Sequence, residues 1–245
     1  MGLFDFLKKK SGDRPQDSGT PALSKAEKKA QKEFQTSLRL ATCHYGQYAI
    51  RNMEDVAKAY AQGNGVEKNI EKVLLSEAQI AAKVEELAGC LTKEYADKNP
   101  VFIGVLKGVV IFFADMVRNI DIPCEIDFMS ISSYCGTNST GRTEVRKDVS
   151  VDIRGRHVVI LEDIFDTGNS LTYTVNHLLA KEPASLKVCT FLDKPERRKP
   201  GITLKPEYVG YTIPNEFVVG YGLDFNEHYR NLPYIGILKP EAYEN

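Results

Sequence analysis

From position 76 onward the apolar positions fall into two alternating kinds of pattern. Ile80, Val84, Leu87, Leu91 and Tyr95 recur every three or four residues, the spacing of one helical face, and predict an amphipathic helix from Ser76 to about Asp97. Its start is marked twice, by the capping-box pattern of Ser76 with Gln79 and by Leu75 placed to staple Ile80. After Asn99-Pro100 the pattern changes to short apolar runs that predict a strand over Val101–Leu106, a helix over Val109–Arg118 and a strand over Cys124–Ser132. A second strand, helix and strand follow at Val158–Leu161, Ser170–Ala180 and Leu186–Leu192. Val158 to Leu161 is apolar without alternation, as expected for a parallel strand covered on both faces. Two βαβ units, with further short strands near Tyr208, Phe217 and Ile235, predict an α/β fold: a mainly parallel sheet flanked by helices, with a small hood.

Residues 1–69 stand outside this pattern and are expected to form an extension, leaving 70–245 as the main domain. The opening Met1-Gly-Leu-Phe-Asp-Phe-Leu-Lys-Lys-Lys10 carries an apolar stretch too short for a secretory core or a span, so no stable membrane insertion is expected. Phe6 also stands where a myristoylation signal needs Ser or Thr. Ser11 to Ser24 has the Asp, Ser, Gly and Pro content of a flexible linker, and Lys25 to about Gln62 is helix-compatible. A hydrophobic content of 42% sustains a normal core, and a net charge of -1 gives no electrostatic reason to expect nucleic acid. Five cysteines without a Cys-x-x-Cys pair fit a reducing cytoplasm, and the scattered histidines argue against a metal cluster of imidazole and thiolate.

The chemistry concentrates in His157-Val-Val-Ile-Leu-Glu-Asp-Ile-Phe-Asp-Thr-Gly-Asn-Ser-Leu171. Open α/β sheets bind ligands beyond the carboxyl ends of their strands, so Glu162 and Asp163 fall where ligands sit rather than where packing needs an acid. Asp166 follows, and then Thr167, Gly168, Asn169, Ser170 and Leu171 lead into a helix. That segment offers two hydroxyls, a glycine that turns tightly and the free amides of a helix start, which together suit a phosphate. Asp-Thr-Gly alone reads as an ordinary turn with a helix cap, and it is the agreement of the surrounding fifteen residues that favours a ligand site. Lys107-Gly108 ends the first strand as a second anion position, or else as a surface lysine before a helix. Ser132 to Thr143, small and polar around Tyr134, has the composition of a lid or of an idle hairpin loop. Lys194 reaches the same carboxyl edge, while Arg197, Arg198 and Lys199 read as a solvated face. Phe217 is a stacking plate or a core residue, and Arg230 faces a phosphate or a surface acid. No Gly-x-x-x-x-Gly-Lys-Ser/Thr loop occurs, and Gly220-Tyr-Gly222 lacks the third glycine of a dinucleotide fingerprint because position 225 is Phe.

The strings Val105-Leu-Lys-Gly108, Phe128-Met with Ser132-Ser-Tyr134, Leu161-Glu-Asp-Ile164 with Asp166-Thr-Gly168, Phe217-Val-Val-Gly-Tyr-Gly-Leu-Asp224 and Tyr229-Arg-Asn-Leu-Pro-Tyr-Ile-Gly236 carry a resemblance. Through them the region from Val73 to Tyr243 resembles, nearly end to end, the bacterial hypoxanthine phosphoribosyltransferases, which have the type I phosphoribosyltransferase fold. The resemblance implies a purine-salvage enzyme that joins hypoxanthine, guanine or both to phosphoribosyl pyrophosphate. It implies Mg2+ as cofactor, a cytoplasmic location and a homo-oligomer, dimer or tetramer. It also implies residue roles. Glu162 and Asp163 hold the ribose hydroxyls and magnesium, while Thr167, Gly168, Asn169, Ser170 and Leu171 cradle the 5′-phosphate. Lys107, Gly108 and Arg230 face the pyrophosphate, over which Ser133 and Tyr134 close. Asp224 binds a second magnesium and borders the base. Asp166 is the acid/base near purine N7, Lys194 donates to the 6-oxygen, Phe217 stacks on the ring and Val218 offers its backbone. A cis peptide bond between Leu106 and Lys107 is implied as well. The alternative is a regulator that binds phosphoribosyl pyrophosphate without catalysis, which has no evident use for Lys194, Phe217 and a lid together. Phe165, where the family usually has an aliphatic residue, is one of the few departures.

Overall fold

A computed structural model describes residues 66–133 and 143–243. The expected extension up to residue 65, Tyr134 and the rest of the lid stretch to 142 lie outside the described residues, as does the Ser133 side chain. In chain order the elements are β1 (Ile70–Leu75), α1 (Glu77–Glu94), β2 (Val101–Leu106), α2 (Val110–Asn119), β3 (Glu125–Ser133), β4 (Thr143–Lys147), β5 (His157–Phe165), α3 (Asn169–Leu179), β6 (Ser185–Asp193), β7 (Tyr208–Thr212), β8 (Val218–Val219) and β9 (Ile235–Leu238).

The main sheet has the order β4-β3-β2-β5-β6-β7, parallel throughout except for the antiparallel edge strand β4. Its two central strands explain their own lack of alternation. Phe102, Val159 and Leu161 pack among Leu87, Leu91, Phe112 and Phe113 of α1 and α2, whereas Val101, Ile103, Val158 and Ile160 pack with Leu171, Val175 and Leu178 of α3. Successive side chains of one strand thus enter two different cores, and both must be apolar. Helix α1 begins as the capping box predicts: the Gln79 amide donates to the Ser76 hydroxyl at 3.3 Å, and the Ser76 amide donates to the Gln79 side chain at 2.9 Å. Tyr229, Leu232 and Tyr234 form a third cluster with Val219 and Leu238, under the small sheet β1-β9-β8.

Three sequence expectations need correction. The strands near Phe217 and Ile235 belong to this antiparallel hood rather than to the main sheet, and they share it with β1, which the hydrophobic pattern did not predict. Strand β4 was likewise unpredicted: Thr143-Glu-Val-Arg-Lys147 is mostly polar because it forms an exposed edge against β3. Strand β5 continues past Leu161 to Phe165, since its pairing with β6 persists to Phe165 opposite Asp193. Glu162 and Asp163 therefore lie inside the end of the strand. From β2 the sheet grows toward β3 on one side, and from β5 toward β6 and β7 on the other, so the chain reverses its direction of growth between β2 and β5. Such a switch point opens a crevice at the carboxyl edge.

Candidate active site

Asp163 sits in that crevice against the turn that follows β2. A Cβ built on Gly108 would lie 1.9 Å from Asp163 Oδ2, so only a glycine lets the turn pass over this carboxylate. Gly222 closes on the same point, its own Cβ position being 2.1 Å from the Gly108 carbonyl oxygen. The peptide bond between Leu106 and Lys107 is cis. Burial pushes the Asp163 carboxyl up to about 6, even though it accepts from the Ile164 amide at 2.9 Å and lies near Arg230. Burial and the neighbouring Asp163 push Glu162 well above the ordinary carboxylate range. Glu162 Oε2 is buried with no hydrogen-bond partner among the described residues. An unpartnered hard oxygen beside a second carboxylate fits a sugar hydroxyl or a divalent cation.

The next turn carries Asp166 and the phosphate-type segment. Gly168 takes φ +90 immediately before α3, and no side chain caps this helix, so its first amides face outward as donors. The stretch after β6 wraps around this turn. Lys194 N donates to the Phe165 carbonyl at 3.0 Å, and Lys199 N donates to the Thr167 carbonyl at 3.0 Å. Arg198, expected on a solvated face, is instead largely buried, with 16% side-chain exposure. Its guanidinium lies 3.3 Å from the centroid of the Phe165 ring and donates to the carbonyls of Phe165 and Asp166 and to the Asp193 carboxylate. Arg197 Nε donates to Asp166 Oδ1 at 3.3 Å.

On the hood side, Lys194 is buried and donates to the Glu216 carbonyl at 2.8 Å, and burial lowers its pKa below the ordinary lysine value. Phe217 and Val218 follow directly. Asp224 and Arg230 come not from ends of the main sheet, as expected, but from the long connection between β8 and β9. Arg230 pairs with Asp224 at 2.9 Å and donates to the Gly222 carbonyl at 2.8 Å, while its buried Nε has no partner among the described residues. Glu227 bridges the two cations of this end, lying 2.9 Å from Lys107 Nζ and 3.2 Å from Arg230 Nη2.

A cleft of about 550 Å³ brings together Lys107, Gly108, Asp163, Asp166, Lys194, Phe217, Val218, Asp224 and Arg230. Glu162 and the 167–171 segment adjoin it in the chain but do not line it. Arg197, expected on a solvated face, lines it as well, as do Ile164, Glu216 and Tyr243, to which the sequence pattern assigned no role. Lone side chains in loops carry no periodicity, and Tyr243 had no motif around it to flag it. Among the described residues no group of three His, Cys, Asp or Glu side chains is arranged to hold a metal ion. No described helix is long and apolar enough to cross a membrane.

A family model described as "Phosphoribosyl transferase domain" matches residues 72–226. A hypoxanthine-guanine phosphoribosyltransferase of Lactococcus lactis is 51% identical over 179 residues, which cover 73% of this chain and 96% of that protein. One from Streptococcus pneumoniae is 50% identical over 181 residues, covering 74% of this chain and 99% of the relative. The crystal structure of a hypoxanthine phosphoribosyltransferase from Staphylococcus aureus superposes with a TM-score of 0.70 at 46% identity, covering 75% of this chain and 100% of that one.

Proposed function

The chain belongs to the phosphoribosyltransferase family, and we propose that it transfers the phosphoribosyl group of phosphoribosyl pyrophosphate to hypoxanthine, guanine or both in purine salvage. The observation that carries this reading is the single cleft in which Lys107, Asp163 and Arg230, suited to a sugar pyrophosphate, meet Lys194 and Phe217, suited to a base, with Asp166 also on its wall. A sensor of phosphoribosyl pyrophosphate would need the first set alone.

The proposed roles follow from the donors present. Amides at the start of α3, with the hydroxyls of Thr167 and Ser170, hold the 5′-phosphate. Glu162 and Asp163 accept from the ribose hydroxyls and flank the positive charge that develops on the sugar. Lys107 and Arg230 bind the leaving pyrophosphate. Lysine has donors only, so Lys194 favours a 6-oxygen and opposes a 6-amino group, which selects 6-oxopurines over adenine. Asp166 exchanges a proton with purine N7. Magnesium, when bound, offsets the charge growing on the leaving group. Glu162 and Asp163 would hold one such ion and Asp224 a second, each site with few protein ligands, as magnesium prefers. The free thiols Cys90, Cys124 and Cys189 accord with a reducing cytoplasm.

Asp166→Asn tests the reading. Turnover should fall by roughly 10²–10⁴-fold, the usual contribution of a general acid/base, while phosphoribosyl pyrophosphate still binds in a calorimeter. Undiminished turnover would remove Asp166 from the mechanism.

A further inference from the structure

Phe217 lines the cleft beside Lys194, but a phenylalanine ring on a connecting segment has no fixed plane of its own. Two other rings supply one. Phe225 meets it edge-on, with centroids 5.6 Å apart at 89°, and Tyr243 lies against it nearly parallel, at 4.8 Å and 20°. Both are favoured geometries for paired aromatic quadrupoles. Tyr243 also lines the cleft itself.

The backbone that carries Tyr243 is held from two directions. Leu238 N donates to the Phe217 carbonyl at 2.8 Å, which ties the end of β9 to the residue whose ring Tyr243 covers. Lys239 N donates to the Asn69 carbonyl at 2.9 Å, and Lys239 Nζ to the Lys68 carbonyl at 2.7 Å. A short 3-10 turn over Pro240–Ala242 then presents Tyr243, whose amide donates to the Pro240 carbonyl at 3.1 Å. A ring has two faces. Tyr243 stacks on one face and Phe225 meets the edge, so these two rings leave the second face of Phe217, a residue that lines the cleft, uncovered by either of them.

We propose that Tyr243 is a positioning residue for the purine base: it backs Phe217, fixes the plane of that ring and so sets how well a flat heteroaromatic base stacks in the cleft. The proposal rests on the assignment of a 6-oxopurine substrate. Tyr243 has no part in holding the phosphoribosyl group, because Lys107, Asp163 and the start of α3 belong to other elements.

The test separates the two substrates. Tyr243→Ala should raise the KM for hypoxanthine or guanine roughly 3- to 10-fold, the range expected from losing one aromatic pair, and leave the KM for phosphoribosyl pyrophosphate unchanged. Tyr243→Phe, which keeps the ring, should behave as the unaltered enzyme. Tyr243→Leu keeps apolar bulk without a plane, and should show the base-selective defect even where the alanine variant folds poorly. In direct titration, Tyr243→Leu should bind a purine nucleoside monophosphate more weakly but ribose 5-phosphate equally well. An unchanged or lowered base KM in folded Tyr243→Leu would overturn the proposal, the lowered value meaning that Tyr243 obstructs the base slot. Equal losses for both substrates would overturn it too. If the unaltered chain transfers nothing to any 6-oxopurine, the functional reading fails; an active enzyme with indifferent variants sinks only the role of Tyr243.

Discussion

Arg198 illustrates how a single residue can fix the turn that carries Asp166, the proposed acid/base. Its guanidinium is planar and carries five donors in a fixed fork, which allows it to lie on the Phe165 ring while donating to the Phe165 and Asp166 carbonyls and the Asp193 carboxylate at once. Lysine cannot reproduce this, having a point charge and no plane to stack. Arg198→Lys should therefore lower kcat roughly 10- to 100-fold, as expected when a reacting group is displaced on the scale of an ångström, with a melting temperature close to that of the parent. A variant with normal kcat would show that the Asp166 turn holds its shape unaided. None of this was legible in Lys194-Pro-Glu-Arg-Arg-Lys199, which has the composition of a solvated face. The partners of Arg198 at 165 and 166 lie about thirty residues away, and local composition says nothing about them.

At the scale of elements, β3 and β4 form a ribbon whose base is tied by one acid. Asp127 accepts from the amides of Phe128 at 2.7 Å, Ser150 at 2.5 Å and Val151 at 3.0 Å, and from Lys147 Nζ at 3.2 Å. Burial alone would raise this carboxyl, but the three amides and Lys147 outweigh it and hold it below the ordinary carboxylate range. A folded-state pKa below the unfolded value near 4 means that the ionised group adds stability above that pH, and that the stability is lost as the pH falls toward the folded value. Asp127→Ala should cost on the order of 3 kcal/mol at pH 7, because it removes the acceptor shared by three part-buried amides and Lys147. In denaturant titrations the gap from the parent should narrow between pH 7 and pH 3; a gap independent of pH would mean that the charge is irrelevant. The elements that sequence patterning identified were those with a strong period or a cap, as in α1 with Ser76 and Gln79. It missed β4, which is polar, and β1, where Ile70-Glu-Lys-Val-Leu-Leu75 does not alternate cleanly and pairs with a strand far along the chain. Hydrophobic pattern records what an element buries, not which distant strand it meets.

For the whole molecule, the expected division between extension and main domain cuts through a set of hydrogen bonds. The expected boundary at 69/70 follows from motifs, but Val66–Asn69 forms a 3-10 turn in which Asn69 Nδ2 donates to the Tyr229 hydroxyl at 2.8 Å and the Lys68 and Asn69 carbonyls accept from Lys239. We predict that a chain starting at Val66 keeps both Michaelis constants within about twofold, whereas one starting at Ile70 loses about 2 kcal/mol of stability with these hydrogen bonds. A folded chain from Val66 that has lost more than ~100-fold in kcat/KM, about 2.7 kcal/mol in the barrier, would place the extension inside the catalytic unit. The fold class and the strand-end motif were legible because they depend on local runs. The cleft was legible only in part, since four of its lining residues, Leu223, Asp224, Arg230 and Tyr243, come from a connection and a C-terminal turn without periodicity. The antiparallel pairing of β1 with β9 has one more effect. The described chain enters and leaves through neighbouring strands, so its two ends are already all but joined. Sealed there by a short linker and reopened at exposed Gly155, before β5, the backbone would become a circular permutant with the same residues around the cleft. The order in which its segments are strung is then a matter of history, while the seam itself, set beside the stacked rings of Phe217 and Tyr243, is the place where anything spliced to either end would be felt first.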